Sequence, residues 1–499
     1  MCSGCNEQSN KETDPEKPNI IYILADDLGY GELGAYGQEK IETPNIDALA
    51  ENGMLFTQHY SGSPVCAPSR YMLLTGKHPG HAYIRANDEW TERGDVWDFE
   101  KASNNPELEG QRPIPAETIT IGEVLQSAGY KTAFVGKWGL GAPGTEGIPN
   151  KQGFDYFFGY NGQRQAHTYY PLHLWENEEK VPLDNKLVEP NTKLEEGADP
   201  YDPQSYAKYQ LSEYAPDLMI ERTLKFIEKS ENEPFFLEFA TPIPHVPLQA
   251  PQKWIDYYRE KFGDEEPYLG ENRYFPARYP HATYAAMISY MDQQVGQIVS
   301  KLKEMGGYEN TLIIFSSDNG PSSVGGADPQ FFESATPFNS GKEWIKGYLH
   351  EGGIRVPMIA SWPRVIEAGS RSDHISAFWD VMPTLAEVAG AELPPGRDGT
   401  SFLSTLKGDK GQDKHEYLYW EFPAYSGQQA VRMGKWKGIR ENIFDGNMEI
   451  QLFNLEEDTL EVNDVSAQYP EIVDRMEQIM VKEHEKPALE SMEMAPLGD

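Results

Sequence analysis

The sequence predicts an α/β fold: a large doubly wound sheet, mixed but mainly parallel and flanked by helices, followed by a smaller C-terminal α+β unit with an antiparallel sheet. Three observations predict it. Short continuous apolar runs recur along the chain at Asn19–Ala25, Lys131–Val135, Pro234–Ala240, Thr311–Phe315 and Ile354–Ser361. Runs of this kind read as strands buried on both faces. Segments of helical character separate them, among them Thr118–Ala128, Ser212–Ser230 and His281–Met305. Past Pro394-Pro395-Gly396 the pattern changes to short alternating segments, Tyr417–Phe422, Ala430–Met433, Trp436–Ile439 and Glu449–Phe453, with a helical stretch at Pro470–Met480. The chain therefore divides into a tether over 1–18, a main α/β domain over 19–400 and a C-terminal unit over 401–499.

Composition narrows the possible partners. The chain has 499 residues, 39% of them hydrophobic, enough for a large core. Its 79 acidic and 43 basic residues leave a formal net charge of −36, which argues against nucleic acid and anionic membranes as partners. A saline habitat and plain solubility are both compatible with that charge. An anionic substrate would need a locally basic pocket. Three cysteines, Cys2, Cys5 and Cys66, rule out a disulfide framework. No stretch has the length and apolarity of a transmembrane helix. Met1 is followed by Cys-Ser-Gly-Cys and a polar run to Pro18. This reads as the mature end of a bacterial lipoprotein, lipidated at Cys2 or Cys5 and held in the periplasm or at the cell surface; a merely disordered start is the alternative.

Taken in order, the apolar runs end in chemically loaded residues. Asn19–Ala25 runs into Asp26-Asp27. Thr43–Phe56 reads as a capped helix. In Cys66–Lys77, Pro68 and Ser69 suit a first helical turn and Gly76 suits its end. Cys66 would then sit at a helix N-terminus, with Arg70 one turn on, a place that favours an anion. A buried Cys before an ordinary helix is the plainer reading. Arg85 and Asn87 follow closely and could reach a substrate or form surface contacts. Lys131–Val135 leads to Lys137. The stretch 154–170 reads as an aromatic, loop-like substrate wall carrying Arg164 and His167, and 175–207 as a polar excursion. Pro234–Ala240 enters a proline-rich loop around His245, and Thr311–Phe315 enters Asp318-Asn319. Lys346 and His350 occupy the loop before Ile354–Ser361.

In a doubly wound sheet such strand ends share one edge, where ligands bind. Three carboxylates and an amide oxygen gathered there are hard donors. They suit Ca²⁺, with Mg²⁺ the alternative, rather than zinc.

Cys66-x-Pro68-Ser69-Arg70, followed by Leu74-Thr75-Gly76-Lys77, resembles the signature of the type I sulfatases of the alkaline phosphatase superfamily. Lys346 and Glu351-Gly352-Gly353 fit that family's Lys-x-x-x-x-Glu-Gly-Gly spacing. The resemblance implies that a maturation enzyme oxidises Cys66 to formylglycine, whose hydrated aldehyde is the nucleophile. It implies that Asp26, Asp27, Asp318 and Asn319 bind the metal together with residue 66. Arg70 and Lys137 would hold the nucleophile, and His245 and Lys346 would meet the sulfate and assist the leaving oxygen. One position departs: the family's Gly-Lys-Trp-His reads Gly-Lys-Trp-Gly here, ending at Gly139. His167 is the candidate substitute base. The forms around Gly139 and His167 look like those of bacterial sulfatases acting on sulfated glycans, some on 4-O-sulfated galactose or N-acetylgalactosamine. Arg85, Asn87, Arg164, His167 and His350 are then candidate substrate contacts. A phosphonate monoester or phosphodiester hydrolase of the same superfamily, and a non-catalytic glycan-binding lipoprotein, are the alternatives.

Overall fold

The computed structural model describes residues 17–499. The lipid expected at Cys2 or Cys5, and all but the last two residues of the expected tether, lie outside the described residues. No helix among the described residues is long and apolar enough to cross a membrane.

An eleven-stranded sheet organises the chain. Its strands are β1 (Asn19–Asp26), β2 (Met54–Tyr60), β3 (Lys131–Lys137), β4 (Tyr156–Tyr160), β5 (His173–Glu176), β6 (Glu179–Pro182), β7 (Phe235–Pro244), β8 (Thr311–Ser317), β9 (Arg355–Ser361), β10 (Ser370–Ser372) and β11 (Ser376–Ala377). The order is β10-β2-β9-β8-β1-β7-β3-β4-β5-β6, with β11 beside β2. The centre, β8-β1-β7-β3-β4, is parallel. Strand β9 is antiparallel to both β8 and β2, and the β5–β6 hairpin closes the far edge. This is the mixed, mainly parallel sheet that the sequence predicts.

Strand β1 shows why its run is unbroken. Ile21, Ile23 and Ala25 face one core, with the Ala215–Lys229 and Pro280–Glu304 helices, while Ile20, Tyr22 and Leu24 face another, with the Cys66–Thr75 helix. Side chains alternate across a strand, so burial on both faces demands apolar residues at every position.

Three local expectations are corrected. The helix expected over 43–56 ends at Glu51, and Met54–Tyr60 forms β2 in the sheet. The aromatic stretch from 154 is not all loop: Phe157 and Phe158 are fully buried in β4, where they serve the core. The polar excursion overlaps the β5–β6 hairpin, whose exposed outer strand allows polar residues.

The C-terminal region forms a four-stranded antiparallel sheet, β12 (Leu418–Phe422), β13 (Gln428–Met433), β14 (Trp436–Glu441) and β15 (Gln451–Asn454), packed against the helix Pro470–Glu483. It is bolted to the large sheet through buried charge. Lys437 Nζ lies 2.8 Å from Glu351 and 3.4 Å from Glu461, all three inaccessible to solvent, and Glu351 also accepts from Tyr60 and Arg355. Removing one partner of such a cluster strands a buried charge. Lys437→Met is expected to cost about 3–5 kcal/mol in denaturant unfolding; a loss below about 1 kcal/mol would mean that the cluster relaxes freely.

Candidate active site

The topology carries each reactive residue to one edge. Parallel β1, β3, β7 and β8 deliver Asp26-Asp27, Lys137, His245 and Asp318-Asn319 at their carboxyl ends. Strand β9 runs the opposite way, so the loop before it, with Lys346, lies on the same edge. Strand β2 is antiparallel to β9 and therefore ends there as well, leading into Cys66.

Cys66 is the first residue of the Cys66–Thr75 helix, which Gly76 terminates in the left-handed conformation. Its thiol is buried, 3.4 Å from Asp26 Oδ1, 3.9 Å from Asp27 Oδ1 and 3.5 Å from Lys346 Nζ. Arg70, one turn along the same face, donates from Nε to Asp318 Oδ2 at 3.0 Å and from Nη1 to the Lys137 carbonyl, and its Nη2 lies 2.8 Å from Asp318 Oδ2 as an ion pair. Lys137 Nζ lies 2.6 Å from Asp26 Oδ2, and Lys346 Nζ 2.5 Å from Asp27 Oδ1. Asp27 has a left-handed backbone (φ 69°), a conformation that Asp tolerates. Its N–H reaches Asp318 Oδ1 at 3.1 Å.

Burial and charge set the protonation states. Burial alone would raise the Asp26 carboxyl, but Lys137, with Arg70 and Lys346, holds it well below the usual range. Burial, then repulsion between the carboxylates, pushes Asp27 up and Asp318 up to about 7. Burial pushes the Cys66 thiol up to about 12. His245 and His167 are both pushed well down, by burial and then by neighbouring positive charge, so both rings are neutral at pH 7.

A divalent cation fits this donor set. Asp27 Oδ2 and Asn319 Oδ1 are buried with no hydrogen-bond partner among the described residues, which is costly for oxygens facing no cation. Asp26, Asp27, Cys66 and His245 place donor atoms within 4.8 Å of one another. Three carboxylates are matched by Arg70, Lys137 and Lys346, so an added dication leaves a net positive centre that attracts an anion.

The cleft above Cys66, of about 440 Å³, brings together Asn87, Arg164, His167, His245 and Lys346. The His167 and His245 rings stack at 5.4 Å. Asn87 also accepts from the Ala67 N–H at 3.1 Å, tying its loop to the Cys66 helix.

Arg85 and His350 are not brought to the cleft. The Arg85 guanidinium is buried on Glu421 and on the carbonyls of Gly80, Ala82 and Glu485. His350 is buried beside Trp344 and Phe453, and burial pulls its pKa down to about 3. Unfolded, His350 takes up its proton near 6.5, so stability falls as pH drops from 6.5 toward 3, by about 1.4 kcal/mol per pH unit from this residue. His350→Gln is expected to flatten the fall in melting temperature between pH 6.5 and 5; an unchanged slope would show that His350 escapes its burial before unfolding.

The cleft also holds residues that sequence reasoning missed: Trp97, Gln163, Arg273, Tyr274 and Lys342. Gln163 explains the departure at Gly139. That glycine is left-handed (φ 80°), and a Cβ on it would lie 3.0 Å from Gln163 Cγ, so Gln163 occupies the room a side chain there would need. The buried Gln163 Nε2 has no hydrogen-bond partner among the described residues. No sequence signal flags these loop residues, apart from the proximity of Gln163 to Arg164 and His167.

Residues 18–391 match the Sulfatase family, and residues 342–486 match N-sulphoglucosamine sulphohydrolase, C-terminal. The chain is 30% identical to an uncharacterized sulfatase of Schizosaccharomyces pombe, over 94% of this chain and 93% of the relative. It is 30% identical to human N-acetylgalactosamine-6-sulfatase, over 87% of this chain and 74% of the relative. Among solved structures it resembles Ps i-CgsB in complex with k-i-k-neocarrahexaose, with a TM-score of 0.74 and 29% identity over 95% of this chain and 94% of the other. With the Cys66 motif and the strand-end constellation in place, these likenesses identify the chain as a member of the type I sulfatase family, a sulfuric ester hydrolase of the alkaline phosphatase superfamily.

Proposed function

We propose that this sulfatase removes sulfate esters from a galactose-type glycan, with 4-O-sulfated galactose or N-acetylgalactosamine as the first candidate. The observation that carries the reading is the charge of the cleft. On a chain of net charge −36, Arg164, Arg273 and Lys342 line one cavity, with Lys346 on Asp27 at its base, against a single lining carboxylate, Glu89, which burial raises to about 7. Arg273 and Lys342 form no ion pair among the described residues, so both are available to an anion. Trp97, Tyr274, Tyr348 and Tyr425 line the same cavity and offer faces on which sugar rings stack, while Phe422, buried, packs against Tyr425. The neocarrahexaose in Ps i-CgsB supports a galactose-type substrate.

In this reading Cys66, matured to formylglycine, supplies the nucleophile. Asp26, Asp27, Asp318 and Asn319 would hold Ca²⁺, or Mg²⁺, which would add positive charge beside the sulfate oxygens. Lys137 and Arg70 stay fixed on Asp26 and Asp318, and so hold residue 66 within a preorganised field. Lys346, at 3.5 Å from Sγ, meets the sulfate. His245 Nδ1 lies 2.5 Å from the Val246 carbonyl, which can only accept. That contact keeps the proton on Nδ1 and leaves the Nε2 lone pair facing the site, so His245 serves as the acid for the leaving sugar oxygen only after Nε2 has taken up a proton; Lys346, which is already charged, is the other acid. His167 would act as base in place of the histidine absent at 139.

His245→Ala is expected to lower kcat by about 10²–10⁴-fold on sugar sulfates, and less on an activated aryl sulfate that needs no proton. Equal losses on both would reduce His245 to a packing role. The function itself is tested by sulfate release from 4-O- and 6-O-sulfated galactose and N-acetylgalactosamine, free and within oligosaccharides, beside a phosphonate ester, with residue 66 checked by peptide mass. Release from one sugar regioisomer is expected. Turnover of the phosphonate alone would overturn the reading.

A further inference from the structure

A second cavity opens directly from the first, and the charged residues that it adds are mostly acidic. It measures about 880 Å³, twice the volume of the cavity over Cys66, and shares Trp97, Arg164, His167, Arg273 and Tyr274 with it. Those five residues form the threshold between the two. Arg164 is fixed there: its guanidinium donates to the Val96 and Trp97 carbonyls and lies 5.0 Å over the Trp97 ring. Trp97 itself is 64% exposed, unusual for so large an apolar side chain, and free to take a stacked ring. Arg273 and Tyr274 both have left-handed backbones (φ 65° and 58°), a conformation that non-glycine residues keep only where the surroundings impose it.

Beyond the threshold the outer cavity contributes Asp98, Glu100, Glu189 and Glu271 against one cation of its own, Lys193. The inner cavity holds four cations and one carboxylate that burial raises to about 7. A bound chain that places a sulfate over residue 66 therefore extends its neighbouring sugars past four carboxylates. A sulfate or uronate on those sugars would meet like charge, whereas a neutral ring would not.

We propose that the outer cavity is a subsite for uncharged sugar units next to the sulfated one, and that it selects glycans whose sulfate-bearing residue is flanked by neutral hexoses rather than by uronates or further sulfated sugars. This rests on the glycan sulfatase reading and sharpens it. An outer cavity of this size takes a ligand of at least one further ring, so the substrate is an oligosaccharide or polymer rather than a free monosaccharide.

The test compares matched oligosaccharides that share one sulfated galactose unit and differ only in its neighbour: neutral hexose, uronate or sulfated hexose. At low ionic strength the matured enzyme is expected to favour the neutral-flanked form by about tenfold or more in kcat/KM, mainly through KM. Added salt is expected to narrow the ratio, because exposed charges are screened over a Debye length that shortens to about 10 Å at 0.1 M. The double variant Glu189→Gln, Glu271→Gln touches neither residue 66 nor its partners. It is expected to reduce the discrimination at least threefold, chiefly by raising kcat/KM on the substrates with anionic neighbours. Equal rates on all three substrates, a preference for the anionic neighbours, or unchanged discrimination in the double variant would overturn the subsite while leaving the sulfatase reading intact. No release from any of them, with residue 66 verified as formylglycine, would overturn the glycan reading and the subsite together.

Discussion

Cys66→Ala is expected to lower sulfate release by at least about 10⁴-fold, the scale on which enzymes lose turnover with their nucleophile. The residue stands alone in its position. It begins the helix, its sulfur lies within 3.9 Å of two carboxylates and within 3.5 Å of Lys346, and nearby Ser69 is turned toward the Gly62 N–H. The unmodified thiol offers little by itself. Burial raises it to about 12, so almost none is thiolate at neutral pH. Protein made without a maturation enzyme is therefore expected to be as inactive as Cys66→Ala. Both should fold: deleting one sulfur from a polar pocket is expected to move the melting temperature by no more than about 2–4 °C. Sulfate release and thermal unfolding, measured side by side on matured, unmatured and variant protein, check this. Substantial activity in either the unmatured or the alanine protein would remove the formylglycine scheme.

Chelation is the second large effect. Stripping divalent cations is expected to lower turnover by about 10³-fold or more and to lower the melting temperature. Ca²⁺ should restore both, and Mg²⁺ less completely. The sign follows from linkage: a cation that binds only the folded state stabilises it, by about 2.7 kcal/mol at a hundred times its Kd. The structural ground is the pair of buried oxygens on Asp27 and Asn319 that have no hydrogen-bond partner among the described residues, beside carboxyls that burial has already pushed upward. Ca²⁺ is preferred because a four-residue oxygen set drawn from two strand ends suits its tolerance of irregular geometry better than the strict octahedron of Mg²⁺. The melting temperature is read independently of catalysis, so a fully active, unshifted protein after chelation would exclude the cation from both roles.

Much of the site was legible because its residues follow apolar strands, and such strands announce their own ends. Asp26-Asp27, Lys137, His245 and Asp318-Asn319 each terminate a buried run, and one rule about parallel sheets sends them to a common edge. Where the local pattern was ambiguous, reading failed. Met-Leu-Phe-Thr-Gln-His-Tyr at 54–60 lies just after a helix and has no clean period, so Met54–Phe56, its first three residues, read as the end of that helix. The aromatic residues of β4 look like a binding wall but fill the core. Arg85 has the chemistry of a substrate contact, yet its nearest carboxylate, Glu421, lies in a strand of the second sheet.

The chemistry at the strand ends is local, because strand burial, helix termini and the Cys66 motif are written in neighbouring residues. What surrounds that chemistry is set by contacts between distant parts of the chain. Trp97, Gln163, Arg273 and Lys342 come from separate loops, while Gln428 of the C-terminal sheet grips the Lys346 loop by donating to the Gly347 carbonyl and accepting from the Leu349 N–H. Loops carry no periodicity, and their side chains meet only after long-range pairing has closed the fold. The same closure sets four cations over Cys66 and four carboxylates beyond them, a separation of charge that an overall balance of −36 conceals.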